Sequence, residues 1–298
     1  MKARIATRRS PLARAQAALV ADLLIAANPG LGVEFVLVDT AGDLDRSRPI
    51  ETLGERGVFS RGVQAALLDG RADIAVHSYK DLPTEPLAGL RIAAVPVRAD
   101  PRDALVSQGG KGLAELPEGA TIGTGSARRS AQVLTVRPDV AVQPLRGNVG
   151  TRVGRVTAGQ LDAAILAVAG LERAGLAGDI AEILEPPEFL PAPAQGALAV
   201  EVRADRSDMQ QLLERIDDAT SRAAVTAERA FLRDLRGGCT VPAGALATVN
   251  KSDLTLTVGL FGDGEAQPLT LRGRVSDADA LGRQAAARVL AARDQATQ

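Results

Sequence analysis

The sequence predicts an α/β protein that carries a small α+β domain at its C-terminal end. Three observations lead there. Strand and helix patterns alternate through the first part of the chain, as they do in layered α/β folds. The same alternation restarts after a polar, proline-containing stretch that begins with Ala99-Asp100-Pro101. Beyond Cys239 the order changes to consecutive alternating strands and one closing helix.

Residues 3–7 (ARIAT) read as the first strand. Ser10 is a good N-cap and Pro11 suits the first helical position, so a helix runs to about Ala27. Residues 33–39 form a second strand, Ser60 to Leu68 a helix, and 72–77 (ADIAVH) a third strand. A strand near 91–97 leads into ADPRDALVS, read as a polar hinge to a second domain. There TIGT is a strand, Ser126 opens a helix to about Val136, VAVQPL is a strand, Asn148 opens another helix, and DAAILAVAG is an apolar strand. The proline-rich EPPEFLPAPAQ returns the chain, and ALAVEV feeds a strand back into the first domain. Helices near 208–217 and 221–235 follow, then strands ALATV, LTLTVGLF and PLTLRGRV and a helix from about Asp277 to Arg293. The domains expected are 1–97 with 197–216, then 102–191, then 219–298. Two α/β domains joined by two crossings predict a ligand cleft between them.

A net charge of −1 and 2% aromatic residues without tryptophan argue against a nucleic-acid partner and a base-stacking platform. No run approaches the ~20 apolar residues of a membrane helix. The N-terminal segment is broken by Arg14, Gln16 and Asp22, unlike a signal peptide, so a cytoplasmic location is expected. No Cys/His cluster has ligand spacing, and no metal site is expected. Among 35 basic residues only Lys2, Lys80, Lys111 and Lys251 are lysines. Base composition explains most of that excess, and where the arginines fall carries more information.

Three arginine-bearing turns lie between a strand and a helix, where unpaired N–H groups and a positive dipole end favour anions. ATRRSPLA presents Arg8, Arg9 and Ser10; IGTGSARRS presents Thr124, Gly125, Ser126, Arg128 and Arg129; PLRGNVGTR presents Arg146, Asn148 and Arg152. One such turn is usually a solvated face, but three in equivalent places predict a polyanionic ligand. HSYKDLPTE holds the only histidine, His77, beside Ser78, Lys80 and Asp81. His77 reads as a structural group, because a catalytic role needs a partner that the sequence does not identify. Lys80 and Asp81 could be a surface ion pair, or Asp81 could stay ionised among arginines and stabilise a developing cation. Cys239, the only cysteine, follows Gly237-Gly238, where the backbone turns freely and leaves a thiol reachable. The plain alternative is a small, inert, buried thiol.

In this order, ATRRSPLARAQ, RADIAVHSYKDLP, DPRDALVS, IGTGSARRSAQ, LRGNVGTR, AAILAVAGLERAGL, QGALAVE and TAERAFLRDLRGGCTVPAGA closely resemble the porphobilinogen deaminase (hydroxymethylbilane synthase) family, over residues 3 to about 246. The resemblance implies two domains similar to type II periplasmic binding proteins plus a small α+β domain. It implies a monomeric transferase of tetrapyrrole (porphyrin, haem) biosynthesis that deaminates four porphobilinogen molecules and joins them head to tail. It also implies a dipyrromethane primer attached covalently through Cys239. Carried over residue by residue, Asp81 matches the catalytic aspartate. Arg8, Ser10, Gln16, Ser78, Lys80, Thr124, Ser126, Arg128, Arg129, Arg146, Arg152 and Arg173 match positions that hold cofactor, growing chain or substrate carboxylates. These residue types suit that chemistry. Loss of ammonia leaves a pyrrole cation that a carboxylate stabilises, and each ring brings two carboxylates for arginine forks.

Several places depart from the family pattern. The loop Gly54-Glu55-Arg56-Gly57-Val58-Phe59-Ser60-Arg61-Gly62 keeps charge at Arg56 and Arg61 but lacks the glutamate of the lysine-glutamate pair that follows the family's loop. Gly125 stands where serine is frequent, Ala194 replaces a glycine before Gln195-Gly196, and Tyr79 replaces an aliphatic residue. Arg137, at the far end of its helix, is expected to matter little. The competing reading is a two-domain solute-binding or effector-sensing protein without catalysis, which leaves Gly-Gly-Cys in a third domain without a use.

Overall fold

The structure is a computed structural model that describes residues 1–39, 60–235, 241–262 and 268–296. Its first elements are β1 (Lys2–Arg8), α1 (Pro11–Ala27), β2 (Gly32–Val38), α2 (Arg61–Leu68), β3 (Ile74–Ser78) and β4 (Leu90–Ala94). Next come β5 (Asp103–Ser107), β6 (Thr121–Thr124), α3 (Ala127–Val136), β7 (Ala141–Pro144), α4 (Val149–Thr157), β8 (Ala163–Ala167), α5 (Val168–Arg173) and β9 (Glu182–Leu184). The chain ends with β10 (Leu198–Arg203), α6 (Ser207–Glu214), α7 (Ala219–Asp234), β11 (Ala243–Asn250), β12 (Asp253–Leu260), β13 (Leu269–Arg274) and α8 (Ala278–Ala296). Two compact units result: Met1–Arg98 with Ala197–Arg222, and Ala99–Gly196 with Ala223–Gln298.

In the first unit the strands lie in the order β2-β1-β3-β10-β4. β1 is parallel to β2 and β3, while β10 enters antiparallel between β3 and β4. Helix α1 starts where Ser10 predicts: its hydroxyl accepts the Ala13 N–H at 3.4 Å, and Pro11 follows where no intrahelical N–H is lost. The α1 face of Ala17, Val20, Ala21 and Leu24 shares a core with Ile5, Ile74 and Val200. On the opposite face α2 brings Val63, Ala66 and Leu67 to Ala6 and Ala75. With both faces covered there, the central strand β3 is buried from Ile74 to His77.

The second unit repeats the plan as β7-β6-β8-β5-β9, with β6 parallel to β7 and β8, and β5 antiparallel to β8 and β9. Each sheet thus has four strands running one way and one antiparallel strand second from an edge, the doubled α/β layout that the resemblance implies. In the same unit α7 and α8 cover the antiparallel sheet β11-β12-β13 around Phe231, Leu254, Leu256 and Val258. Gly282 sets the helix–helix approach, because a Cβ there would lie 2.2 Å from the Ala227 carbonyl oxygen. Among the described residues no helix is long and apolar enough to cross a membrane.

Two sequence expectations are corrected. ADPRDALVS is not one polar crossing: DALVS is strand β5, and Asp103, Ala104 and Leu105 are fully buried. Asp103 makes the segment look polar, but its charge is met inside the protein. DAAILAVAG is a strand only as far as Ala167, after which the same apolar run becomes helix α5.

Candidate active site

β1 and β3 are hydrogen-bonded neighbours running the same way, so their C-terminal ends emerge together. A pocket at that edge is lined by Arg8, Gln16, Ser60, His77, Ser78 and Asp81, with apolar neighbours. Ser78 ends β3, and the chain then makes a single 3₁₀ turn, Tyr79–Asp81. That turn leaves the Asp81 carboxylate exposed, with no hydrogen bond or ion pair to any described residue. The surface ion pair with Lys80 is therefore not formed; Lys80 is half-buried in the same turn. Gln16 is buried and linked to Ser78, with 2.8 Å from amide nitrogen to hydroxyl and 3.1 Å from hydroxyl to amide oxygen. Ser10 stands outside the pocket wall as the cap of α1.

In the second unit the strand-to-helix turn after β6 holds Thr124, Ser126, Arg128 and Arg129. Thr124 is buried and its hydroxyl accepts the Ser126 N–H at 3.2 Å. The Ser126 hydroxyl caps α3 by accepting the Arg129 N–H at 3.5 Å. The two arginines turn inward, at 4% and 6% exposure. Arg128 Nη1 donates to Asp103 Oδ2 at 2.7 Å; Arg129 donates to Asp103 Oδ1 from Nη2 at 2.6 Å and from Nε at 3.0 Å. Gln195 Nε2 adds a bond to Asp103 Oδ1 at 2.8 Å. Arg129 also reaches the Ile165 carbonyl, and Arg128 the Leu190 carbonyl. Burial alone would raise the Asp103 carboxyl, but the two guanidiniums outweigh it and hold it well below the usual carboxylate range. Burial lowers Arg128 from its ordinary value for the same reason.

The remaining arginines take different places. Arg146 is half-buried after β7, and Arg152 on α4 donates from Nε to the Gly147 carbonyl at 2.8 Å. Arg173 closes α5 and donates from Nη2 to the Gly196 carbonyl at 2.7 Å; burial lowers its pKa. The buried Nε atoms of Arg128 and Arg173 have no hydrogen-bond partner among the described residues. Cys239 lies outside the described residues, between the end of α7 at Asp234 and the start of β11 at Ala243. The loop residues from Gly54 to Phe59 lie outside them too, whereas Ser60 lines the pocket and Arg61 begins α2. No group of three or more His, Cys, Asp or Glu side chains that could hold a metal occurs among the described residues.

Ala194, the alanine in a glycine position, adopts φ +62 while fully buried. Its N–H donates to buried Glu228 Oε2 at 2.6 Å, and Oε1 of the same carboxylate accepts the Ala247 N–H at 2.8 Å. Arg137 is also more engaged than its place at a helix end suggests. Its guanidinium donates to the carbonyls of Leu113, Leu116 and Pro117 and to Asp139, closing the start of β6 against the end of α3. Sequence reasoning passed over Asp103, Gln195 and Glu201. The available signal was an acid or amide embedded in an apolar strand or a tight Gln-Gly turn.

Two family models match the chain. "Porphobilinogen deaminase, dipyromethane cofactor binding domain" covers residues 3–211, and "Porphobilinogen deaminase, C-terminal domain" covers residues 222–291. A porphobilinogen deaminase of Roseiflexus sp. (strain RS-1) is 47% identical over 280 residues, covering 93% of this chain and 92% of the relative. One from Mycobacterium ulcerans (strain Agy99) is 52% identical over 249 residues, covering 84% and 78%. Among solved structures, the methionine-binding protein MetQ shares 13% identity at TM-score 0.45, over 72% of this chain and 88% of that one. A variant of the Bordetella pertussis BvgS VFT2 domain shares 19% identity at TM-score 0.43, over 72% and 86%.

Proposed function

The chain belongs to the porphobilinogen deaminase family, and on that premise we propose how its residues divide the work. The reaction deaminates porphobilinogen and joins four units head to tail on a covalently bound dipyrromethane, giving hydroxymethylbilane for tetrapyrrole biosynthesis. The dipyrromethane supplies the free pyrrole carbon from which the product is grown.

Asp81 is the catalytic carboxylate. The observation that carries this is its exposed, unpartnered position on the wall of the pocket at the end of β1 and β3. A fixed negative charge there lowers the cost of the cation that forms on the pyrrole as ammonia leaves. Arg8 and Lys80 bind carboxylates beside it, and the mutually bonded Gln16 and Ser78 offer a preset hydroxyl and amide. In the second unit Thr124, Ser126 and the N-terminus of α3 receive anions, with Arg146, Arg152 and Arg173 as further cations. Arg128 and Arg129 set the charge behind that turn. Two guanidiniums share one carboxylate, which leaves a buried positive excess, and two buried Nε donors have no partner among the described residues. Both features fit a polycarboxylate such as dipyrromethane, anchored as a thioether at Cys239. The three domains are 1–97 with 197–216, 102–191 and 219–298, and the protein acts as a cytoplasmic monomer without nucleic acid.

Asp81→Asn tests the reading. It keeps shape and removes charge, so the rate should fall ~10²–10³-fold, while intact mass still shows a two-pyrrole adduct on the Cys239 peptide. Turnover near the wild-type rate would remove Asp81 from the mechanism. Cys239→Ser should lose both adduct and turnover; full activity at unmodified mass would overturn the anchor.

A further inference from the structure

We propose that His77 is the base that takes up the α-proton the chain's terminal pyrrole must lose at each addition, and that Glu201 and Gln64 hold it in the form that can do so. The proposal rests on the Asp81 pocket being where units are joined. Strands β3 and β10 pair Ala75 with Glu201 and His77 with Ala199, which puts His77 and Glu201 diagonally on one face of the sheet. Both are buried, at 7% and 4% exposure, with His77 Nε2 3.2 Å from Glu201 Oε2. Gln64, reaching down from α2, donates its amide to Glu201 Oε1 at 3.2 Å. The Nε2–Oε2 approach is off the line of an ideal hydrogen bond, yet neither atom has any other partner among the described residues.

An ionised carboxylate only accepts, so a lone pair on Nε2 facing it would be repelled; the proton sits on Nε2. Gln64 occupies the other oxygen and restrains rotation of the carboxylate away from the ring. Neutral imidazole then carries its lone pair on Nδ1, the tautomer being set by the partner of the other nitrogen. Among the described residues His77 makes no hydrogen bond through Nδ1, and it lines the pocket that also carries Asp81. A carboxylate beside an imidazole that borders a reacting pocket supplies the parts of an oriented base.

The chemistry needs such a group. When a new unit joins, its methylene carbon, already freed of ammonia, bonds to the free α-carbon of the chain's terminal pyrrole, which belongs to the primer at the first addition and to the preceding unit afterwards. The C–H bond at that α-carbon breaks, its electron pair restores the aromatic pyrrole, and the proton passes to Nδ1. The imidazolium formed faces the Glu201 carboxylate, which stabilises it until the proton leaves to water. Asp81 is poorly suited to this step, because a charge that must stay negative to support a cation is neutralised by a proton. His77 is thus a catalytic residue and Glu201 its positioning residue.

The holoenzyme with His77→Gln should turn over ~10²–10⁴-fold more slowly. Porphobilinogen deuterated at its free α-carbon should show a primary isotope effect in this variant, and imidazole in solution should rescue His77→Ala. Because His77 is the only histidine, histidine-selective ¹⁵N labelling gives one imidazole spectrum, which should show Nε2 protonated and Nδ1 bare. Glu201→Leu should lose that tautomer preference. A normal rate in His77→Gln overturns the proposal. So does a slow variant with neither isotope effect nor rescue, which would make His77 structural. If the variants do not fold, an Nδ1-protonated tautomer in the native protein overturns it alone. Full turnover by Asp81→Asn would instead mark failure of the pocket reading.

Discussion

Asp103→Asn should destabilise the second unit far more than its isosteric shape suggests. Asp103 is completely buried and receives Arg128 at 2.7 Å, Arg129 at 2.6 and 3.0 Å, and Gln195 at 2.8 Å. Asparagine keeps one acceptor for Arg129 and Gln195 but turns an NH₂ group toward Arg128, placing donor against donor. Arg128 and Arg129 then retain the Leu190 and Ile165 carbonyls, which satisfy hydrogen bonds without neutralising charge. Removing one member of a buried ion pair costs about 3–5 kcal/mol, more than the ~1.5–3 kcal/mol of the one charge-assisted bond lost at Arg128, because both guanidiniums also lose their counter-charge. At a urea slope of ~2–3 kcal/mol/M the unfolding midpoint should drop by about 1–2 M. Hydrogen exchange should locate the loss in β5 and β8. Replacing all three charges together, as Asp103→Leu, Arg128→Met and Arg129→Leu, should cost less than Asp103→Asn alone, because no buried charge is left over. A single-variant loss below ~1 kcal/mol, the value of an exposed pair, would refute this reasoning.

Other expectations concern stability and pH. Burial raises Asp73, but hydrogen bonds from Arg4 and Arg206 outweigh it and bring the carboxyl down to about 2. The folded value is the lower one, so this stabilisation is complete above about pH 4 and is lost as pH falls towards 2. Acid titrations of Asp73→Asn should lack that dependence. Ala194→Gly should stabilise by ~0.5–1 kcal/mol in denaturant melts, since relief of a left-handed alanine (~1–2 kcal/mol) exceeds the added chain entropy (~0.5–1 kcal/mol). Gly282→Ala should cost about 1–3 kcal/mol, because its Cβ would meet the Ala227 carbonyl at 2.2 Å and Ala230 Cβ at 2.7 Å.

Local signals in the sequence located elements well where caps and periodicity coincide. Ser10-Pro11, Ser126 and Asn148 each open a helix where expected, because capping is decided within four residues. DALVS was illegible as a strand, since its leading aspartate looks solvent-seeking until two arginines from α3 meet it. Helix α5 was hidden by an apolar run that serves strand and helix alike. The Asp81 turn was legible as a motif, but Glu201, the partner His77 lacked in the sequence, lies on a strand far along the chain. The bonds of Arg137 are not legible in the sequence, because most of its acceptors are backbone carbonyls, which no residue type announces.

Strand β10 gives the first sheet an unusual history during synthesis. Its neighbours β3 and β4 end at Ser78 and Ala94, yet β10 begins only at Leu198. A ribosome therefore releases every strand of the second unit's five-stranded sheet, the last ending at Leu184, before it makes the strand that closes the first. The usual order, in which the N-terminal sheet closes first, is reversed for these two five-stranded sheets. Until Leu198 emerges, β3 and β4 each present an unpaired apolar edge, the template on which foreign strands assemble. A nascent chain stalled before that residue is one for chaperones to shield or proteases to clear.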